Sequence, residues 1–185
     1  MKRRVAVLVV VVVAAFGLCL APARAGDVLV VDDDPHTGRC HAGHDPFTTI
    51  QAAVNAAHSG DTIRVCPGVY DEHVTVATPR LTIKGAKAGR DARRRGRHGE
   101  SEVTGGVELR EDLITWDGFL IRDNTAGPGI YTSPRFSGYD IRNTIFEDNG
   151  IGLQLGSNGV CETWIRKNLF VANNELIGDP AGAGN

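Results

Sequence analysis

The chain has 185 residues, of which 42% are hydrophobic, 23% are charged and 6% are aromatic. This composition is typical of a globular protein, excludes collagen-like, coiled-coil and disordered chains, and with this length indicates a single domain. The formal net charge of −2 gives no whole-chain argument for binding nucleic acid, so no nucleic-acid partner is expected.

Residues 1–25 have the organisation of a secretory signal peptide. Residues 1–4 read Met-Lys-Arg-Arg and form a positively charged region, residues 5–20 form an apolar run, and residues 23–25 read Ala-Arg-Ala, a small-x-small cleavage site. A membrane anchor is the alternative, but the run is short for a bilayer span and a cleavage site follows it directly. We therefore expect residues 26–185 to form a secreted domain, extracellular, periplasmic or on the cell surface, without a stable membrane anchor.

Cleavage would change the charge and the cysteine count. Four basic side chains and no acidic side chain lie in the range 1–25, so the remainder carries 16 basic and 22 acidic side chains and a formal charge of −6. Three of the four cysteines remain. An exported chain can hold disulfides, and an odd count leaves one thiol over.

A short β-branched run at residues 26–31 is followed by Asp32, Asp33, Asp34 and Pro35. Clustered carboxylates could bind Ca²⁺. A solvated turn that Pro35 ends is the simpler interpretation, and we favour it.

Residues 48–58 are predicted to form a helix, because Ile50, Ala53, Val54 and Ala57 recur at helical spacing. Thr48 as N-cap and Gln51 three positions later would form a capping box. Four short strands then follow, at residues 62–66, 69–70, 73–76 and 81–85.

Residues 47–86, which read FTTIQAAVNAAHSGDTIRVCPGVYDEHVTV and then LTIKGA after a short gap, resemble the amino-terminal cap and first coil of secreted right-handed parallel β-helix proteins, the pectin-lyase-like class. Gly68-Val69-Tyr70-Asp71-Glu72 matches the GxYxE element of pectin methylesterases. The later motifs of that family, similar to QAVA, DFIFG and GRPW, are absent from the sequence. No catalytic residue is therefore assigned, and Tyr70 and Glu72 are interpreted as packing and turn residues.

The second half of the chain repeats with a constant period of about 25 residues. The period relates Ile121, Phe146 and Val171, and also Ile130 and Leu155. It predicts a right-handed parallel β-helix, with one coil per period, behind an N-terminal capping helix, because equivalent residues of successive coils stack. A leucine-rich repeat is disfavoured because its denser leucine pattern is missing. Asn124, Asn149 and Asn174 would form an asparagine ladder at one turn. Arg166 breaks the apolar pattern, so Ile165 is expected to point inward there.

The remaining cysteines are interpreted from their positions. Cys40 and Cys66 bracket the predicted helix, and a disulfide between them is favoured over two buried thiols because the chain is predicted to be exported. Cys161 is in register with Phe136 and is expected to be a free, stacked apolar residue.

The predicted cap spans residues 26–66 and the coils residues 67–185, with a basic loop at residues 86–103. Between Lys87 and Glu102 this loop has six basic and three acidic residues. Arg93, Arg94, Arg95 and Arg97 could bind an anionic polysaccharide such as pectate or alginate. A solvated, mobile loop is the alternative, and the lack of hydrophobic residues favours it.

Chemistry is less well indicated than fold. No cofactor is evident, but Asp123 and Asp148 would stack one coil apart and could share a Ca²⁺ ion, with solvated turn carboxylates as the favoured alternative. Arg122 and Glu147 would form a surface ion pair. A polysaccharide lyase needs a base and a cation, and an esterase or hydrolase needs facing carboxylates, so catalysis stays undecided. We expect a domain that binds or processes a uronate polymer, or else a non-catalytic interaction platform. Because residue 185 falls within a coil, we also expect the natural chain to continue.

Overall fold

The computed structural model describes residues 26–34, 40, 45–94 and 96–174. The predicted signal peptide, Arg95 and residues 175–185 lie outside this part of the chain. The elements of the described residues are β1 Val28–Val31, α1 Ile50–Ala56, β2 Thr62–Val65, β3 Gly68–Tyr70, β4 Val74–Val76, β5 Thr82–Lys84, β6 Ser101–Val103, β7 Val107–Leu109, β8 Thr115–Asp117, β9 Leu120–Arg122, β10 Pro128–Thr132, β11 Asp140–Arg142, β12 Ile145–Glu147, β13 Ile151–Gln154, β14 Trp164–Arg166 and β15 Leu169–Val171.

The strands form three sheets in which every pairing is parallel. Sheet A has the order β1-β2-β5-β8-β11-β14, sheet B has β3-β6-β9-β12-β15, and sheet C has β4-β7-β10-β13. From β2 onward the chain passes through A, B and C in turn, and we call one such passage a coil. The prediction of a mostly β protein is confirmed, and the topology is compatible with a parallel β-helix.

The core lies between the three sheets, because the strands alternate inward and outward residues. The central residue of each sheet A strand points inward, so Ile63, Ile83, Trp116 and Ile141 pair in one column and are completely buried. Sheet B contributes a second column that includes Val103, Ile121 and Phe146. In β4 and β7 of sheet C the first and last residues point inward instead, as Val74 and Val76 do in β4.

The constant period predicted from the sequence is wrong beyond the β11–β12 coil. Phe146 pairs with Phe170, not with Val171, and the two rings stack with centroids 4.7 Å apart. Ile130 pairs with Leu153, not with Leu155. The turn from β12 to β13 has two residues fewer than the turn from β9 to β10. Paired residues of β10 and β13 are therefore two positions closer in the sequence than paired residues of β9 and β12. The chain from Leu153 to Ile165 is one residue longer than the chain from Ile130 to Ile141, which recovers one of the two positions. Ile165 therefore pairs inward with Ile141, as expected.

The asparagine ladder exists, but its third member is Asn173 and not the predicted Asn174. The backbone N–H of Asn124 donates to Oδ1 of Asn149 (3.2 Å), and Nδ2 of Asn149 donates to Oδ1 of Asn173 (3.0 Å) and to the carbonyl of Ile121 (3.0 Å). The shortened step explains the shift by one position. Asn149 is completely buried, so the ladder satisfies backbone groups inside the stack.

The helix begins one position later than a Thr48 cap would require. Thr49 is the N-cap, and its Oγ1 accepts from the N–H of Ala52 at 3.2 Å. The carboxylate of Glu72 accepts from the N–H groups of Ile50 (2.7 Å) and Gln51 (2.9 Å). A carboxylate distant in the sequence therefore caps the helix together with Thr49, and Glu72 has this capping role in addition to its position in a turn.

The disulfide between Cys40 and Cys66 is confirmed, with the Cα atoms 5.7 Å apart. Cys161 is disulfide-bonded as well, so the prediction of a free thiol is wrong. The Asp32–Asp34 turn is also less solvated than expected. Asp32 is buried, and Oδ2 of Asp33 accepts from the N–H of Val69 at 3.0 Å. The Asp33 carboxylate therefore joins the segment after β1 to β3.

The inward column of sheet B gives a test of the register. We expect Phe146→Asp to cost about 4 kcal/mol or more of unfolding free energy, because it places an unpaired charge in the core. Ile145→Asp is the matched control, since Ile145 is the preceding residue and faces outward, and its cost should stay at about 1 kcal/mol. Urea denaturation measures both, and equal losses would contradict the register.

Burial of Tyr139 predicts a loss of stability in alkali. Desolvation, followed by the nearby Asp112 and Glu111 carboxylates, raises the pKa of Tyr139 to about 12, from about 10 in the unfolded chain. The neutral phenol is therefore favoured in the folded state. The contribution of Tyr139 to the unfolding free energy is complete below pH 10 and is lost as the pH rises through 12. Between pH 9 and 12, Tyr139→Phe should lose less unfolding free energy than the wild type does. An equal loss of unfolding free energy in the two proteins over this pH range would contradict the raised pKa of Tyr139.

Candidate functional site

The outward face of sheet C carries a column of polar and aromatic side chains. Thr75 pairs with Glu108, Glu108 with Tyr131, and Tyr131 with Gln154. Since alternate residues of these strands fill the core, the four side chains face outward. Tyr131 is half-buried, with its ring in the middle of this surface, which we call the sheet C surface.

Tyr131 is the shared wall of two depressions. The first has a volume of about 320 Å³ and is lined by polar groups that include His73, Glu108, Asn124 and Gln154. The second has a volume of about 640 Å³, and its charged side chains are Arg110 and Arg135. An aromatic ring with hydrogen-bonding groups on one side and guanidinium groups on the other is the kind of mixed lining found in ligand sites.

The charges on the sheet C surface are only partly paired. Arg110 forms an ion pair with Glu108 and stays half-exposed, and Nδ1 of His73 lies 2.9 Å from the carbonyl of Gly105. Arg135 is exposed, and within the described part of the chain no carboxylate lies within salt-bridge distance of its guanidinium. Arg135 is therefore free to meet an anionic group of a ligand.

The apolar and asparagine columns of the sequence do not predict this surface. Tyr131 directly follows the inward Ile130, so the alternation alone places it on the outer face of its strand. Glu108 and Gln154 each lie two positions closer to Tyr131 than the 25-residue period requires. The insertion before β6 lengthens the step from Thr75 to Glu108, so the period aligns none of the three residues with Tyr131. The alternation within β10 therefore predicts that Tyr131 faces outward, but the period does not predict which residues lie beside it.

The basic loop is packed against the stack and is not simply solvated. The Arg97 side chain is 7% exposed and the Glu100 side chain 9% exposed, and two hydrogen bonds of 2.9 and 2.6 Å join them. Nη1 of Arg97 also donates to the backbone carbonyl of Asn143 at 2.8 Å. Ala92, within the same loop, is buried.

The loop follows the corner between sheets A and B. Gly118, Asn143 and Lys167 occupy equivalent left-handed positions there, with φ of 85°, 52° and 56°, and we call them the corner column. Their carbonyls accept from Lys87 N (3.2 Å), from Arg97 Nη1 (2.8 Å) and from Ala92 N (3.1 Å). Glycine is required at the first position, because a Cβ on Gly118 would collide with the backbone of Ala88.

The four predicted polyanion-binding arginines do not share one environment. Arg93 pairs with Asp91 through Nε (2.9 Å) and Nη2 (2.7 Å), and this side-chain contact holds the pKa of Asp91 well below its usual value. Arg97 is held by Glu100. Arg94 lines a cavity under the loop together with Lys167, and Arg95 lies outside the described residues.

Asp123 and Asp148 occupy equivalent turn positions, as the period predicts. Both have left-handed backbones, with φ of 60° and 52°. Oδ2 of Asp123 lies 3.4 Å from Nε of Arg122, which is hydrogen-bonded to Glu102 and not to the expected Glu147. Across the described ranges, no group of three or more His, Cys, Asp or Glu side chains is arranged to hold a metal ion.

Comparisons of the chain with protein-family models, with curated proteins and with solved structures find no match in any of the three. Within the described residues, no helix is both long enough and apolar enough to cross a membrane.

The two arginine–carboxylate pairs of the basic loop give a matched test. Arg97→Met leaves the buried Glu100 carboxylate without its partner and should cost about 3 kcal/mol of unfolding free energy. Arg93→Met breaks an exposed pair with Asp91, and we expect little change in stability. Chemical denaturation of both variants measures the difference. A similar small loss in each would show that the Arg97 pair does not anchor the loop.

Proposed function

We propose that this chain is a secreted, right-handed parallel β-helix domain of the pectin-lyase-like class that binds an acidic extracellular polysaccharide on its sheet C surface. The three parallel sheets, the resemblance over residues 47–86 and the Cys40–Cys66 disulfide support the fold and the oxidising compartment. The organisation of residues 1–25 supports export. The proposal concerns binding and assigns no catalytic residue.

The observation that carries the proposal is the position of Tyr131 between the two depressions. An aromatic ring fixed by neighbouring strands offers a flat apolar face with a polar edge at little entropic cost. A sugar ring has a face of C–H groups and a rim of hydroxyls, so it can stack on Tyr131 while its hydroxyls meet Glu108, His73 and Gln154.

The second depression indicates an acidic sugar. Arg135 and Arg110 lie beside Tyr131, and a guanidinium donates paired hydrogen bonds to a carboxylate. Four strands span three intervals of about 4.8 Å, or roughly 14 Å, so the surface fits a short oligosaccharide segment. A uronate residue stacked on Tyr131 would place its carboxylate toward the arginines.

A non-catalytic interaction platform is the second candidate. Sheet B carries an outward apolar column of Leu120, Ile145 and Leu169, and Val69 in β3 of the same sheet is more than half exposed. Exposed apolar residues of this kind are typical of protein-binding surfaces. A copy of the protein that binds no glycan but captures one defined protein through sheet B would favour this candidate.

Binding of a galacturonic-acid trimer, measured by isothermal titration calorimetry, tests the proposed function. Tyr131→Ala should weaken binding about tenfold because it removes the stacking surface, whereas Tyr131→Phe should keep most of the affinity. Trp164→Ala is the matched control, since it removes an exposed aromatic residue from sheet A. A fully esterified trimer should bind more weakly than the acid. Unchanged affinity in Tyr131→Ala would contradict the proposal.

A further inference from the structure

We infer that the cavity under the basic loop is a second binding site, which takes the carboxylate or sulfate groups of an acidic glycan. This loop cavity has a volume of about 660 Å³ and lies between residues 87–94 and 96–98 on one side and the turn from β14 to β15 on the other. Its charged lining includes Lys87, Arg90, Arg94 and Lys167, with one carboxylate, Asp91.

The lining has an excess of positive charge that the protein does not neutralise. In the described part of the chain, none of the four cations is within salt-bridge distance of a carboxylate. Asp91 is occupied by Arg93, which holds both of its oxygens. Like charges that converge on one cavity repel each other, and an anion in the cavity relieves that repulsion.

The scaffold around the cavity is fixed before any ligand binds. The buried pair of Arg97 and Glu100 holds one side of the loop, and the N–H of Ala92 donates to the carbonyl of Lys167 at 3.1 Å. Arg94 and Lys167, which are far apart in the sequence, are brought to one cavity by this contact. The backbone positions of the cations are therefore set before binding, which lowers the entropy cost of bringing them together around an anion.

The ligand class follows from the lining. Guanidinium and ammonium groups bind oxyanions, and the volume exceeds that of a single small anion, which indicates a segment of a polyanion. Among the described residues that line the cavity there is no Phe, Tyr or Trp, and His98 supplies one small ring, so the lining lacks the row of large aromatic side chains on which single-stranded nucleic acids stack. The choice of a glycan rests on the proposed function, whereas the anion site itself does not.

The loop cavity lies at the corner between sheets A and B, away from the sheet C surface, so the two sites can be tested separately. The experiment uses the Tyr131→Ala protein and a galacturonic-acid trimer, with calorimetry as the readout. Arg94→Gln combined with Lys167→Gln should weaken the remaining binding about tenfold or more. Asp91→Asn should strengthen it about threefold, because it removes the lining carboxylate and releases Arg93.

Arg166→Gln is the control for the local loss of positive charge, since it removes one positive charge next to Lys167 but on the outer face of sheet A, where Arg166 pairs with Asp140. Its affinity should equal that of the parent, and all variants should keep the parent's melting temperature. If Arg94→Gln with Lys167→Gln binds as tightly as the control, the site is refuted. A single-stranded oligonucleotide or inorganic sulfate that binds as tightly as the trimer would refute the glycan assignment. If only the sheet C proposal is wrong, Tyr131→Ala will bind like the wild type while the loop variants still lose affinity.

Discussion

Parallel backbone pairing between every third strand is the constraint on which the rest of this structure depends. Once β5 pairs with β2 and β8 pairs with β5, each side chain lies directly over its counterpart in the previous coil. A core of single-residue columns follows, with Ile83 against Trp116 and Phe146 against Phe170. Outward residues are stacked by the same rule, and this creates the surface around Tyr131. Fold and candidate site therefore share one physical origin.

The same pairing leaves polar groups at the corners, and the basic loop satisfies some of them. Left-handed residues at the sheet A to sheet B corner turn their carbonyls away from the ladder, and the loop donates to three of these carbonyls in succession. A segment with no hydrophobic run thereby becomes an ordered part of the fold. This anchoring explains why Arg97 is structural, while Arg94 and Lys167 are left to face a cavity.

Much of the fold could be predicted from the sequence because its signals are local. The alternation in Val74–Val76 and in Thr82–Lys84 places their inward residues without knowledge of any partner, and Asn124 and Asn149 repeat at one turn. Turn lengths are less predictable, since turns of different length can both join sheets B and C. The period alone therefore assigned Val171 and Asn174 where Phe170 and Asn173 lie.

The candidate sites were harder to predict because they depend on contacts between distant residues. Arg93 and Arg97 look equivalent in the sequence, but only Arg97 reaches both a buried carboxylate and the carbonyl of Asn143. Lys167 joins the loop cavity from the last coil. Thr48 lost the capping role to Thr49 and to Glu72, which follows β3 in the chain. None of these partners is visible in local spacing.

A double-mutant cycle in the sheet B column tests the register most directly. Phe146 and Phe170 stack with their ring planes 7° apart, so the cycle of Phe146→Leu with Phe170→Leu should give a coupling of about 1 kcal/mol. The cycle of Phe146→Leu with Val171→Ala should give a coupling near zero, since Val171 pairs with the outward Glu147 and not with Phe146. A strong coupling to Val171 and none to Phe170 would contradict the shortened step and the stacking derived from it.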